Sequence, residues 1–400
     1  MKNEFEKILG RKEGLFFKDF HKNKKKLEKE ISKSRFLIIG AAGSIGKAVS
    51  YQIFKRNPKK IHLVDISENN MVELVRNIRS SLGYIKGEFK TFEIDLGSSE
   101  FEKFYKNHSY DYIFNFSALK HVRSEKDPYT LMRMLKVNIL NPLKLIKISK
   151  NKKIKNFFNV STDKASAPAN MMGASKRLME IGLFSNEYKF PVVMARFANV
   201  LFSDGSLLHG FEQRLLKKEP IAAPRDIKRY FITPKEAAYL CIITALLGKK
   251  GQIFYPKINR VSNLLGFKEI AIRFLKLKNF SPKICNSENQ ARNFLKLKKN
   301  IKFQKYWPCY FFDTNTTGEK EEEIFYGMND KINKKIYNDI GIIESQKQPQ
   351  EQKKFKNFLI NIEKLKKKRK WKKEDISKIV EDALIDINYE DKKKYLSDRM

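Results

Sequence analysis

Gly40, Gly43 and Gly46 lie in one short loop that joins an apolar strand, 35–39, directly to a helix. Each glycine has a separate physical job in such a loop. One makes the tight turn, one lets backbone come close to a pyrophosphate, and one lets the helix lie against the strand. The phosphates then face amide N–H groups at a helix N-terminus, here those of Ser44 and Ile45. The loop opens a long alternation of strand and helix. Strands are expected at 35–39, 60–65, 89–94, 111–116, 156–161 and 192–197, with helices near 44–55, 69–82, 98–106, 128–149 and 172–187 between them. Such alternation predicts a parallel sheet with helices on both faces. The expected fold class is α/β: a Rossmann-type doubly wound parallel sheet with a smaller C-terminal substrate lobe and helical extensions.

Four hundred residues exceed one compact core of ordinary size. The chain divides into an N-terminal helical extension (1–34) expected to pack on the main domain, and a dinucleotide-binding domain (35–200). A substrate lobe with interleaved core elements (201–330) and a C-terminal helical extension (331–400) follow. Asp127 and Pro128 mark a helix start, and Pro142 should kink or split that helix. Another helix is expected at 234–247, a linker at 346–354, and amphipathic helices at 355–370 and 373–384.

The formal charge of +37 raises nucleic acid or an anionic membrane as partners. Lysine, however, is spread along the whole chain and outnumbers arginine; only 366–373, around Trp371, is concentrated. That distribution argues against a nucleic-acid surface, which favours clustered arginine and aromatics. No apolar run approaches the roughly 20 residues needed to cross a bilayer, so no membrane partner is expected. The charged first 34 residues lack the apolar stretch of a signal peptide. Cys241, Cys285 and Cys309 share no metal-ligand spacing. These features point to a cytoplasmic protein without disulfides or metal.

Asp65 ends the second strand, 19 residues past Gly46. A carboxylate there accepts both hydroxyls of an adenosine ribose and repels a 2′-phosphate, which predicts NAD in preference to NADP. Asp95 and Leu96, after the third strand, are placed to border the adenine, with a helix cap as the alternative job for Asp95. Lys120 and His121 follow the fourth strand, at the carboxyl edge where such sheets bind ligands. After the fifth strand come Thr162, Asp163 and Lys164, and then Met172 and Lys176 at the start of a helix. Residues four apart share a helix face, so Met172 and Lys176 look the same way.

These pieces resemble the extended short-chain dehydrogenase/reductases, and more narrowly the soluble UDP-N-acetylglucosamine 4,6-dehydratases of bacterial polysaccharide and nonulosonate synthesis. The resemblance runs through most of 35–245. It is carried by the glycine loop, 117–122, Asn138, 161–164, 172–176, 196–200 (with Ala198 for a common glycine) and 229–231. It implies a redox-neutral reaction: hydride leaves carbon 4 of the sugar for NAD⁺, the carbon 5 proton is removed, water leaves from carbon 6, and hydride returns there. Asp163 is then the acid at the departing hydroxyl, Lys164 the base at carbon 5, and Thr162 a hydrogen-bond partner of the carbon 4 oxygen. The acid role needs burial to favour neutral Asp163, and the base role needs it to favour neutral Lys164. Lys176 serves the nicotinamide ribose, and Ser117, Ala118 and Lys120 line the cofactor. Lys120, His121, Asn199, Ser206 and Arg229 are the substrate-side candidates, with Arg229 suited to a diphosphate or, alternatively, to Asp226. Met172 stands where many relatives have a catalytic tyrosine, which implies retention at carbon 5; plain core packing is its other reading. Asn138 is expected to hold a helix bulge. The helices at 128–149 and 172–187 commonly form a dimer face in the family, so a homo-oligomer with a UDP-sugar substrate is expected. A UDP-sugar 4-epimerase and a non-catalytic NAD-binding scaffold are the rival readings; neither needs the Asp163–Lys164 couple.

Overall fold

The computed structural model describes residues 2–11, 14–185, 188–257, 264–297, 305–314, 320, 323–328, 330–346 and 348–391. Six strands form the parallel heart of one large sheet: β1 (Arg35–Ile39), β2 (Lys60–Asp65), β3 (Glu88–Glu93), β4 (Tyr112–Asn115), β5 (Asn156–Thr162) and β6 (Val192–Phe197). Their spatial order is β6-β5-β4-β1-β2-β3, all parallel, with the order of succession reversing beside β1. That is the doubly wound arrangement, and ligands bind it at the carboxyl ends of strands near the reversal. Both faces of these strands are covered, so β1, β4, β5 and β6 are almost wholly buried.

Three further strands widen the sheet beyond β6. Gln252–Pro256 runs parallel to β6, Ile340–Glu344 runs antiparallel to that strand, and Lys331–Asn333 closes the edge. The sequence suggests a helical extension from residue 331; these two strands correct that reading. Ile340, Ile342 and Ile343, which fall on both faces of the strand, are buried in the main core, which is why the segment is held there.

The smaller lobe contains two three-stranded sheets. One orders Leu264–Gly266, Lys228–Ile232 and Asn199–Val200; the other orders Ser281–Cys285, Tyr306–Phe312 and Ile221–Pro224. Its separate core gathers Leu208, Phe211, Ile270, Phe274, Trp307 and Phe311. The first helix, Lys2–Leu9, packs here through Ile8 and Leu9, not on the main domain as expected. The next two helices, Phe17–Lys22 and Lys24–Ser32, do join the main core, through Phe20, Leu27 and Ile31.

The long helix expected at 128–149 is split. It runs as Pro128–Leu135, then a π turn at Lys136–Leu140, then Asn141–Ile148. Asp127 caps its start, accepting from the N–H groups of Tyr129 and Thr130. Pro142 lacks the N–H that would bond the carbonyl of Asn138, so the ladder widens by one residue there.

Pro349–Lys366 is helical from its first proline, where the sequence suggests a linker at 346–354. This helix and Lys373–Asp382 cover the helices Pro128–Leu135 and Met171–Ser185. Phe355, Phe358, Ile362, Leu365, Ile376 and Val380 are buried in the joint. Approach is so close that a Cβ on Gly182 would lie 2.3 Å from the Phe355 ring. Part of the face expected to meet a partner subunit is thus covered by the chain's own C-terminal helices.

Candidate active site

Gly40 has φ of 72°, a conformation that favours glycine, and a Cβ there would sit 2.8 Å from the backbone of Phe116 and Ser117. A Cβ on Gly46 would lie 2.1 Å from the Gly40 carbonyl oxygen. The loop is therefore pinched at Gly40, against the end of β4, and at Gly46, against its own start. The helix it opens, Ser44–Phe54, has Gly43 at its cap position and no side chain bonding its first N–H groups. An uncapped helix start beside a pinched glycine loop fits a pyrophosphate. Ile45 is half-buried against the main core. Ser44 has an additional partner: its hydroxyl donates to Asp204 Oδ2 at 3.0 Å and accepts from the Asp204 N–H at 2.8 Å. The loop around Asp204 thus reaches over the helix start.

Asp65 accepts from the Ala42 N–H at 2.9 Å through Oδ2 and from the Ser67 N–H at 3.0 Å through Oδ1. It ties the glycine loop to the turn after β2, and each oxygen keeps a lone pair for a ribose hydroxyl. Asp95 is exposed and accepts from the Gly97 N–H. The cap of the following helix is Ser98, not Asp95. Leu96 is buried, 4% exposed.

Ser117 and Ala118 are half-buried just past β4. The N–H and carbonyl of Leu119 are both held by the Asn138 side chain at 2.9 Å, and Asn138 Nδ2 also donates to Ser175 Oγ at 2.9 Å. The π turn that carries Asn138 therefore fastens the β4 loop to the helix bearing Met172 and Lys176. Lys120 and His121 are exposed residues, and the His121 ring lies close against Gly205. The protein around them pushes both below their ordinary ranges; Asp204 partly offsets this for Lys120, while Lys120 and Arg123 deepen it for His121.

β5 ends at Thr162, and a short 3₁₀ turn, Asp163–Ala165, bends the chain out of the sheet. Asp163 is 3% exposed. Its Oδ1 accepts from the Thr162 hydroxyl at 2.8 Å, the Lys164 N–H at 2.9 Å and Lys164 Nζ at 3.2 Å. Asp163 and Lys164 are thus paired with each other in this turn. Thr162, expected at the sugar, acts here as the hydroxyl of this turn. Its Oγ1 also accepts from the Lys164 N–H, at 3.4 Å.

Lys176 is 4% exposed, and its Nζ donates to the Val160 carbonyl at 3.1 Å. Burial pushes its ammonium down to about 8, with Glu180 pulling the other way. Met172, 5% exposed, sits in the main core at the start of the same helix. Behind them Arg196 binds both oxygens of Glu180, at 2.9 and 2.7 Å, and Ser161 donates to Glu180 at 2.6 Å. Burial opposes the Glu180 charge, yet Arg196 holds that carboxyl below the ordinary range.

On the substrate side, Arg229 is 3% exposed on the strand Lys228–Ile232, and Asn199 pairs in register with Phe231 beside it. Asp226, the alternative partner of Arg229, accepts from the Thr314 N–H. Ser206 caps the helix Leu207–Leu216, accepting from the His209 N–H, which gives it a structural job.

Sequence reasoning overlooked two carboxylates. Glu323 approaches Lys164 Nζ to 3.4 Å from far along the chain. Glu125 is wholly buried; its Oε2 accepts from the Met171 N–H at 2.8 Å, and its Oε1 has no hydrogen-bond partner. Burial raises Glu125 to about 7. Only its place in the same loop as Lys120 and His121 could have flagged it. Its folded-state pKa lies above the free value of 4.5, so its charge costs stability at high pH and the cost vanishes on acidification. Glu125→Gln should therefore raise stability by up to about 3 kcal/mol at pH 8 and by almost nothing near pH 4.5, measured by urea unfolding.

Sheet order and glycine loop together define a Rossmann-type, doubly wound fold. The chain belongs to the family described as "Polysaccharide biosynthesis protein", whose sequence profile matches residues 36–301. It is 32% identical over 232 residues to "Uncharacterized membrane protein MJ1061" of Methanocaldococcus jannaschii, across 56% of this chain and 67% of that protein. It is 28% identical over 253 residues to the capsular polysaccharide biosynthesis protein CapD of Staphylococcus aureus, across 62% of this chain but only 42% of that one. Among the described residues, no helix is long and apolar enough to cross a membrane.

Solved structures share the fold at lower identity. Pen from Bacillus thuringiensis superposes with a TM-score of 0.62 at 20% identity, over 79% of this chain and 88% of its own. A UDP-N-acetylglucosamine 4-epimerase from Methanobrevibacter ruminantium, in complex with UDP-N-acetylmuramic acid, gives 0.53 at 16% identity, over 74% and 90%. WbmF of Bordetella bronchiseptica, in complex with NAD⁺, gives 0.50 at 16% identity, over 62% and 79%.

Proposed function

We propose that this chain is an NAD-dependent sugar-nucleotide 4,6-dehydratase acting on UDP-N-acetylglucosamine, with retention at carbon 5. The observation that carries this reading is the ion pair of buried Asp163 with half-buried Lys164 at the carboxyl end of β5, with Lys176 and a methionine at position 172 on the helix that follows. NAD fits the glycine loop, the uncapped helix start and the free lone pairs of Asp65; WbmF, of like fold, is known in complex with NAD⁺. When bound, NAD⁺ supplies the redox step, taking hydride from carbon 4 and returning it at carbon 6.

The protein supplies placement and protons. Arg229 and Asn199 hold the diphosphate side, and Lys120 and His121 border the sugar. With carbon 4 a ketone, the carbon 5 proton is acidic; Lys164 removes it and, after exchange with solvent, returns a proton to carbon 5 once carbon 6 has been reduced. Asp163 protonates the carbon 6 hydroxyl, which leaves as water. Met172 carries no proton. Lys176, on the same helix face and held down to about 8, has the proton affinity suited to the carbon 4 hydroxyl near neutral pH.

A 4-epimerase is the second reading, favoured by the epimerase of like fold. It has no use for an acid at carbon 6. One incubation with UDP-N-acetylglucosamine in deuterated water, followed by NMR, separates the two. The dehydratase yields a 4-keto product with deuterium at carbon 5 and protium in the new methyl group. UDP-N-acetylgalactosamine alone would establish the epimerase, and the absence of any product would favour a scaffold.

A further inference from the structure

Lys164 Nζ lies between two carboxylates, 3.2 Å from Asp163 Oδ1 and 3.4 Å from Glu323 Oε1. The second is the more informative. Glu323 lies beyond residue 301, where the match to the family profile ends. Its side chain is only 4% exposed, against 21% for Lys164. A carboxylate this deep is expensive unless a cation compensates it. Its segment is fastened on both sides of the site. The Phe325 carbonyl accepts from Arg196 Nη1 at 2.7 Å, and Lys320 Nζ donates to the Ala167 carbonyl. The segment therefore joins β6 to the loop that follows Lys164.

We propose that Glu323 is a positioning residue for Lys164: it fixes where the amine stands and how readily that amine gives up its proton. The importance for catalysis rests on the dehydratase reading; the contact itself does not. Asp163 faces Lys164 from the same turn, and Lys320 and Arg229 add positive charge nearby. Against that background, removal of one carboxylate weakens the hold on the ammonium form.

The test is competitive acetylation of the full chain with acetic anhydride, read at Lys164 by mass spectrometry, with Lys103 as an exposed reference. Only the neutral amine reacts. In Glu323→Gln, Lys164 should react about three- to tenfold faster than in the parent at pH 8, and the rise of its rate with pH should come at lower pH than in the parent. Equal rates at pH 8 overturn the proposal. So does a gain with no shift of that rise along pH, since that reports exposure alone. Should Glu323→Gln fail to fold, Glu323→Asp withdraws the carboxylate by one methylene, and a rate below about twice the parental one overturns the proposal. In turnover, Glu323→Gln should lower kcat about tenfold, leave KM within about threefold, and move the Lys164 limb of the pH profile downwards. Full activity in Asp163→Asn and Lys164→Ala would remove the dehydratase reading while leaving the labelling result intact.

Discussion

Asp163→Asn and Lys164→Ala should each lower turnover of UDP-N-acetylglucosamine by about 10²- to 10⁴-fold, the usual worth of a positioned acid or base. Bound NAD should stay at the parental level, because neither side chain belongs to the glycine loop or to Asp65. The two losses should not add. Both groups meet at Asp163 Oδ1 and serve one elimination, so the double variant should be little worse than either single one. Asp163→Asn keeps the size of the side chain and its acceptor for the Thr162 hydroxyl, and it removes only the charge and the transferable proton. Steady-state kinetics with cofactor content read by absorbance tests this. Activity retained in both variants would refute the assignment.

Lys176→Met should move activity and stability in opposite directions. Turnover should fall by at least about 10²-fold, since the only amine on the Met172 face of the helix is lost. Stability at pH 7 should rise by about 1–2 kcal/mol. Burial pushes the Lys176 ammonium from 10.5 down to about 8. That difference corresponds to about 3 kcal/mol, part of which is returned because the Val160 carbonyl loses its donor. The sign over pH follows from linkage. Below pH 8 folded and unfolded chains both carry the charge, and the full cost of burying it is paid. Between pH 8 and 10.5 the folded chain sheds the proton first, so the parent grows more stable relative to the variant. The gain of Lys176→Met should therefore vanish at pH ~9 and turn into a loss of about 1–2 kcal/mol by pH 10.5, where only the missing Val160 hydrogen bond counts. Urea unfolding at pH 7, 9 and 10.5 measures it; a variant less stable than the parent at pH 7 would show that Lys176 supports the fold.

Much of this molecule is legible in one dimension. β1, β2 and β6 begin and end where the apolar runs do, because parallel strands buried on both faces read as unbroken hydrophobic stretches. The glycine loop is legible because its spacing answers to local sterics. The boundaries that moved lie where tertiary contacts outweigh local preference. Gln350, Glu351 and Gln352 read as linker, yet they are helical because Phe355 and Phe358 behind them are buried against the helix Met171–Ser185. Ile340–Glu344 is strand because Gln252–Pro256 offers it an edge.

The sequence by itself determined the doubly wound sheet, the dinucleotide loop and the identities of Asp163, Lys164, Met172 and Lys176, because these depend on neighbours within a few residues. Only the tertiary structure decided which charges meet. Glu323 reaches Lys164 across more than 150 residues, Glu125 anchors the helix start at Met171, and the C-terminal helices cover a face that local pattern leaves open. The physical reason is that burial and Coulomb energy depend on distance through space, and separation along the chain carries almost no information about that distance.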